Sequence, residues 1–347
     1  MNPPNPPADA LAAVTHADPY PYYAALARQR APSFDAGLGL WVCANADTVR
    51  AVLAHADCRV RPVHEPVPPA LHGPAGAVFG ALARMNDGVP HAQVKAVLQA
   101  ALAAVPIDAA CIPQAAVPDA AALNAFMFDA PVHALASLLG CPDAHLSAVA
   151  AQTGRFVRAL SPLAEAPEIA AGHEAVTALL AVLHRLVGEP PERAPLLHAV
   201  LERAGAIDAQ VLLANLLGLL SQSYEATAGL IGNCIVARLR DAQDDTAALV
   251  DAVMRDDPAI HNTRRYTARA IDIEGVEIDA GQAILLVLAA AREPFGHGRH
   301  ACPGQVLARA VTVRAVAALE GCLPDVGWRY RASLNARMPE FFDGRKA

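Results

Sequence analysis

Basic charge is in short supply: 27 Lys and Arg against 34 Asp and Glu leave a formal net charge of −7. A chain with that balance has no general attraction for a polyanion, so nucleic acid is not an expected partner. Residues 1–9 are proline-rich and polar, without the apolar stretch of a secretory signal. No uninterrupted apolar run of about 18 residues stands out as a transmembrane helix. There is no internal repeat, no long linker and no flavin or nucleotide motif. Seven cysteines, an odd number without regular spacing, do not form a disulfide framework and suit a reducing cytosol. These absences predict a soluble, cytoplasmic protein that neither spans a membrane nor binds nucleic acid.

What is plentiful is apolar sequence, 54% of 347 residues, ordered for long stretches with helical spacing. Residues 1–18 are read as a flexible N-terminal arm and residues 19–347 as a single domain. Pro19 opens a helix to about residue 30. Gly39-Leu40-Trp41-Val42-Cys43 reads as a strand, and residues 46–56 as a helix. Pro62, Pro66, Pro68, Pro69 and Pro74 make residues 60–75 an extended loop. Residues 119–240 are nearly all helical, broken around Gly188-Glu189-Pro190-Pro191. The longest helix begins at Asp208, a plausible N-cap, and runs past Arg240. Residues 271–278 alternate about a turn at Gly275, a hairpin signal. Residues 283–290 fit a buried strand or a short helix. The fold class is therefore mainly α with small β-sheets.

One cysteine has a setting the others lack. Cys302 lies in Phe295-Gly296-His297-Gly298-Arg299-His300-Ala301-Cys302-Pro303-Gly304. Gly296 and Gly298 permit backbone conformations closed to other residues and close approach of a large ligand. Pro303 suits a helix start, and Val306, Ala310, Val313 and Ala317 space out a helix from Gln305. A helix N-terminus favours an anion and lowers a thiol pKa, which makes Cys302 a candidate metal ligand. The remaining cysteines, Cys43, Cys58, Cys111, Cys141, Cys234 and Cys322, read as small buried hydrophobes. His297, His300 and Cys302 also fit a three-ligand zinc site as an alternative.

The pattern Phe-x-x-Gly-x-His-x-Cys-x-Gly, filled by Phe295, Gly298, His300, Cys302 and Gly304 and followed by Leu307-Ala308-Arg309, resembles the haem-binding signature of the cytochromes P-450. The likeness runs from about Pro19 to Trp328. It implies a cytochrome P-450-like fold holding heme b (iron protoporphyrin IX), with Cys302 as the proximal iron ligand. Phe295 is implied to shield the sulfur, and Gly296, Gly298 and Gly304 to shape its loop. His300, His91, Lys95 and Arg265 are implied to hold the haem propionates. His91 and Lys95, four apart after Pro90, share a helix face. Lys95 stands where the family has Arg and keeps the charge without the bidentate fork.

Polar residues interrupt the long helix at Ser221-Gln222-Ser223-Tyr224-Glu225-Ala226-Thr227. Burying them costs free energy unless each finds a partner, which suggests a cavity or a ligand. By resemblance, Glu225 fits the family's proton-routing acid. Ala226 replaces the usual Thr, and Thr227 fits the second alcohol.

Two features depart from the family. Its Glu-x-x-Arg pair is matched by Ala252-Val253-Met254-Arg255, with Asp251 one position out of register. Ala290-Ala291-Arg292-Glu293-Pro294 runs directly into Phe295, so the fold is truncated between the central sheet and the haem-binding loop. The resemblance implies a monooxygenase that hydroxylates a small organic molecule, using dioxygen and electrons from NAD(P)H delivered by a ferredoxin and ferredoxin reductase or similar partner. Arg299, Arg309 and Lys95 are candidates for the docking surface. Specificity is implied to reside in residues 60–84 and 150–200. Alternatives are a peroxide-driven or non-oxygenase haem enzyme, raised by Ala226, and a degenerate binding or activator protein, raised by the two departures.

Overall fold

The computed structural model describes residues 5–114, 116–241 and 245–344. Among the described residues the helices are α1 Tyr20–Ala27, α2 Ala46–Ala54, α3 Pro74–Ala81, α4 Gly88–Ala104, α5 Ala120–Leu138, α6 Asp143–Ala159, α7 Ala166–Leu186, α8 Pro195–Arg203, α9 Ala209–Arg240, α10 Thr246–Asp256, α11 Leu288–Ala291 and α12 Gln305–Ala318. The strands are β1 Ser33–Asp35, β2 Leu40–Cys43, β3 Cys58–Arg59, β4 Thr263–Thr267, β5 Ile271–Ile273, β6 Val276–Ile278, β7 Ala283–Leu286, β8 Val326–Tyr330 and β9 Pro339–Asp343. The expected class, mainly α with small sheets, is the observed one.

Helix α9 organises the helical part. The Asp208 carboxylate caps its start, accepting from the N–H groups of Gln210 (2.8 Å) and Val211 (3.2 Å). At about 1.5 Å per residue its 32 residues span roughly 48 Å, enough to cross the whole domain. Its N-terminal half packs with α3, α5, α6 and α7 into one core, and its C-terminal half packs with α5, α10, α12 and β9 into a second. Close approach sets its glycines: a Cβ at Gly232 would stand 2.5 Å from both Met127 Sδ and Pro339 Cγ.

The main sheet runs β1-β2-β7-β4-β3, with β2 and β7 parallel and the other pairs antiparallel. Ile284, Leu285, Leu286 and Val287 are fully buried, as a central strand covered on both faces requires. Residues 283–290 therefore divide: the strand ends at Leu286, and α11 follows. Arg292, in the left-handed region at φ 57°, ends that helix and turns the chain towards Phe295. The hairpin β5–β6 turns through Glu274 and Gly275, both at positive φ, the signature of a two-residue type I′ turn.

Two expectations are corrected. Residues 1–18 are not a free arm throughout, because Ala10, Ala13 and Val14 are at most 1% exposed. Helix α7 is long and apolar enough by length and composition to cross a membrane, so such a segment does exist. It carries Glu168, Glu174 and Arg185 and buries Val176, Leu179 and Leu183 in the first core. Arg255, at the position of the family's Arg, lies on the surface and pairs with Asp256 at 2.6 Å. Asp251 instead holds Arg309 of α12 through two contacts of 2.6 and 2.8 Å.

The buried ion pair of this region is Arg337 with Asp257, which sequence reading missed. The Arg337 side chain is 1% exposed and donates from Nε to Asp257 Oδ1 at 2.9 Å. Its Nη atoms donate to the carbonyls of Val14, His16 and Ala17. Tyr20 Oη also donates to Asp257, and the guanidinium lies 3.5 Å from the Tyr330 ring centroid. One side chain thus ties the N-terminal segment, α1 and the β8–β9 hairpin to the end of α10. Arg337→Ala is expected to lower the unfolding free energy by about 3–5 kcal/mol, because it leaves a largely buried carboxylate unpaired. Arg309→Ala, which breaks a solvated pair, should cost at most about 1 kcal/mol. Urea unfolding of both variants checks this, and equal losses would count against the lock.

Candidate functional site

The loop between α11 and α12 is shaped by its own backbone. Cys302 N donates to Phe295 O at 2.8 Å, closing the loop around a turn of 3-10 helix, Gly298–His300. Gly296 (φ 69°) and Gly298 (φ 65°) occupy the left-handed region that glycine tolerates best. Gly304 is the N-cap of α12 at φ −97°, where a Cβ would make only ordinary contact with Cys302 Sγ at 3.9 Å. Phe295 is partly buried against the second core.

Arg299 fastens this loop to the rest of the molecule. Its guanidinium donates to the carbonyls of Ala54 (3.0 Å), His55 (2.7 Å) and Cys58 (3.0 Å). Its own carbonyl accepts from His91 Nε2 at 2.9 Å and from Lys95 Nζ. His300 stacks on His91 with ring centroids 3.9 Å apart and faces Asp87 Oδ1 at 3.1 Å. Asp87 also accepts from Val60 N–H at 3.1 Å. The structure gathers His91, Lys95 and His300 around the loop, with Asp87 and Arg299 beside them. Of the residues expected at a docking surface, Arg299 is engaged with backbone carbonyls and Arg309 with Asp251 on the surface.

The electrostatics follow from enclosure. Burial pushes the Asp87 carboxyl up, but the His300 hydrogen bond, the Val60 N–H and the nearby cationic charge outweigh it and hold it below its usual value. Burial lowers His300, opposed by Asp87, and lowers Lys95, opposed by the charge of Cys302. Cys302 corrects the expected depression. The residue is exposed, yet nearby protein still removes part of the solvation of its thiol. The loss of solvation raises the thiol despite the Gly304 N–H and Lys95, both of which favour the thiolate.

Arg265 on β4 is 5% exposed, and its Nε has no hydrogen-bond partner. Burial lowers it to about 10, with Asp87 pulling the other way. A buried guanidinium with an orphaned N–H calls for an anion. Lys95 and His91, meanwhile, spend two donors on one neutral carbonyl. Carboxylates on a bound group would satisfy all three better, and Cys302 offers an accessible sulfur in the same loop. These residues fit a haem with its propionates. Among the described residues no group of three or more His, Cys, Asp or Glu side chains is placed to hold a metal ion, so the zinc alternative finds no assembled ligand set.

On α9, Glu225 and Ala226 are half-buried, while Thr227 is 4% exposed. Two residues along a helix is about 200° of rotation, so Glu225 and Thr227 do not share a face. Burial raises Glu225, opposed by Arg84 and Arg331. Neither arginine was singled out in the sequence, because only folding brings residues 84, 225 and 331 together. Of the aromatics, Phe126, Phe128 and Phe156 are at most 8% exposed. A cavity of about 340 Å³ between α6 and α7, lined by Cys141, Gln152, Leu179 and Arg185 among others, contains none of the site residues.

No family model matches the chain. It is 28% identical over 236 residues to cytochrome P450 107B1 of Saccharopolyspora erythraea, covering 59% of this chain and 58% of that protein. It is likewise 28% identical over 252 residues to the cytochrome P450 monooxygenase PikC of Streptomyces venezuelae, covering 61% and 58%. The chain thus spans less than two thirds of the length of these curated relatives. Among solved structures, CalO2 aligns with a TM-score of 0.74 at 19% identity, covering 93% of this chain and 94% of that one.

Because the Asp87 carboxyl is held low, its contribution to stability is complete above the ordinary carboxylate value near 3.9 and is lost as the pH falls through its own lower value. Asp87→Asn is expected to cost about 1–3 kcal/mol at neutral pH. The gap to the parent should narrow as the pH is lowered towards 3. Urea titrations at several pH values check this, and a gap independent of pH would reject it.

Proposed function

We propose that this chain, similar in sequence to bacterial cytochromes P-450 and like them in fold, is a haem-thiolate monooxygenase acting on a small organic molecule. The observation that carries the reading is the exposed Cys302 on a loop held by the Lys95–His91–His300 cluster, together with buried Arg265, whose Nε has no partner. When bound, haem b supplies oxygen activation and oxidation of the substrate.

The chain's own residues do the rest. Cys302 would ligate the iron as a thiolate, a form that the Gly304 N–H and the Lys95 charge favour. Arg265, Lys95, His91 and His300 would hold the propionates through charge-assisted hydrogen bonds. Gly296, Gly298 and Gly304 keep the loop around the sulfur, and Phe295 covers it. Glu225, whose carboxyl burial raises against the pull of Arg84 and Arg331, is the group on α9 that would hold or pass a proton. Thr227, on another face of α9, supports that helix and passes protons only through an intervening water. Electrons come from NAD(P)H by way of a ferredoxin and ferredoxin reductase or a similar partner. The free cysteines suit a reducing cytosol.

Ala226 favours a second reading. A hydroxyl that would help position a proton donor is absent there, so a peroxide-driven reaction, which brings its own oxygen and electrons, is the competing chemistry. Turnover with hydrogen peroxide but not with NADPH and redox proteins would select it. A binding or activator role is selected instead if purified protein holds no pigment.

The reduced, carbon-monoxide-bound absorption spectrum is the direct test. A Soret band strongly shifted to the red is expected for the parent and should vanish in Cys302→Ser; a colourless parent protein would overturn the reading. Glu225→Gln is expected to slow turnover by about 100-fold or more while leaving that spectrum unchanged.

A further inference from the structure

Helices α6 and α7 run antiparallel and press together at one end. A Cβ on Gly172, in the second turn of α7, would stand 2.2 Å from the Cβ of Ala159, the last residue of α6. Towards the other end the helices part. Between the first turns of α6 and the last turns of α7 lies the cavity of about 340 Å³, closed on one side by Cys141 of the α5–α6 connection. That volume falls within the range of small-molecule sites.

The floor of the cavity is apolar. Cys141, Val149, Leu179 and Leu186 line it and are each at most 6% exposed. A narrower hollow bordered by these same residues reaches Leu183 of α7 and Leu220 of α9. Each helix contributes one short side chain to the opening, Ala148 from α6 and Ala178 from α7, where anything larger would narrow it. None of the residues assigned to the haem or to proton transfer lines this cavity, so it is a separate place in the fold.

Its polar groups are few. Gln152 of α6 lines the cavity, and its Oε1 is buried without a hydrogen-bond partner. An acceptor left in that state costs stability, and an occupant that donates to it removes the cost. The terminal torsion of a glutamine is soft, so the amide can turn its oxygen towards such an occupant. At the mouth, beside His145, stand one cation and one carboxylate, Arg185 and Glu189. Glu189 also pairs with Arg193 at 3.6 Å, and the charges of Asp143 and Arg185 act on Cys141 in opposite directions. Solvated charges of opposing sign give little hold on an ion.

We propose that the α6–α7 cavity is a binding site for a small neutral molecule with an apolar body and one hydroxyl group. The body rests on the Val149–Leu179–Leu186 floor, and the hydroxyl donates to Gln152 Oε1. Burial of apolar surface supplies the affinity, and the single acceptor sets the orientation. The proposal goes beyond the monooxygenase reading and does not depend on it.

The test is calorimetric titration of the purified full-length protein with 4-propylphenol and with 4-propylanisole, its methyl ether, which has no hydroxyl to donate. The parent is expected to bind the phenol about threefold to tenfold more tightly than the ether. Gln152→Leu should bring that ratio close to one while both compounds still bind. Ala178→Phe, which fills the cavity from α7, should weaken both by at least about tenfold. Ala148→Leu fills it from α6 and should act in the same direction, so the result does not rest on one variant; circular dichroism of both checks that the helices are intact. The proposal is overturned if the parent binds neither compound or shows no preference for the phenol. It is equally overturned if the preference survives Gln152→Leu, or if folded Ala178→Phe and Ala148→Leu bind as the parent does, which would place the probe elsewhere in the molecule.

Discussion

The site depends on one residue's bonding in two directions. Arg299 donates its guanidinium to three backbone carbonyls at the end of α2 and in β3, while its own carbonyl accepts from His91 and Lys95 of α4. The loop carrying Cys302 is thereby fixed between the small sheet and the helical body without any help from a carboxylate on α10. Backbone carbonyls suit this task, because they cannot lose their acceptor character to a change of pH. The short connection from α11 to Phe295 leaves little slack, and the Arg299 contacts set where the sulfur stands.

The work expected of a Glu-x-x-Arg pair is distributed elsewhere. Arg255 has moved to the surface, and Asp251 grips Arg309 to join α10 to α12. The desolvated ion pair of this region is Arg337 with Asp257, which closes the second core from the C-terminal hairpin and holds the N-terminal segment. An isolated buried pair is weak evidence of stability, but this guanidinium also satisfies three carbonyls and covers an aromatic face, so little of its desolvation is left uncompensated.

The propionate side of the site carries more cationic groups than the protein itself neutralises: Arg265 keeps an orphaned Nε, and Lys95 donates to a neutral carbonyl. Keeping cations enclosed in this way costs stability and is sensible only where anions arrive from outside the chain. This set fits the propionates of a haem, whereas on the α9 side Arg331 already pairs with Glu340 at 3.9 Å.

Much of this was legible along the chain. The run of residues 295–304 nominated Cys302, the Asp208 cap and the following periodicity placed α9, and the alternation about Gly275 placed a hairpin. Such features depend on neighbours a few residues apart, where spacing and backbone preference decide the outcome. Other features were not legible for the same physical reason. Whether residues 283–290 form strand or helix was decided by the burial of Ile284 to Val287 between neighbouring strands. The thiol of Cys302 is raised because enclosure outweighs its place near a helix start, and enclosure is a property of the whole fold. The Arg337–Asp257 lock and the Arg84–Glu225–Arg331 cluster join residues separated by 80 to more than 200 positions. Local chemistry in the sequence determined which sulfur would be offered and on what loop; only tertiary packing decided which charges surround it, because desolvation and long-range contact exist only once the chain has closed on itself.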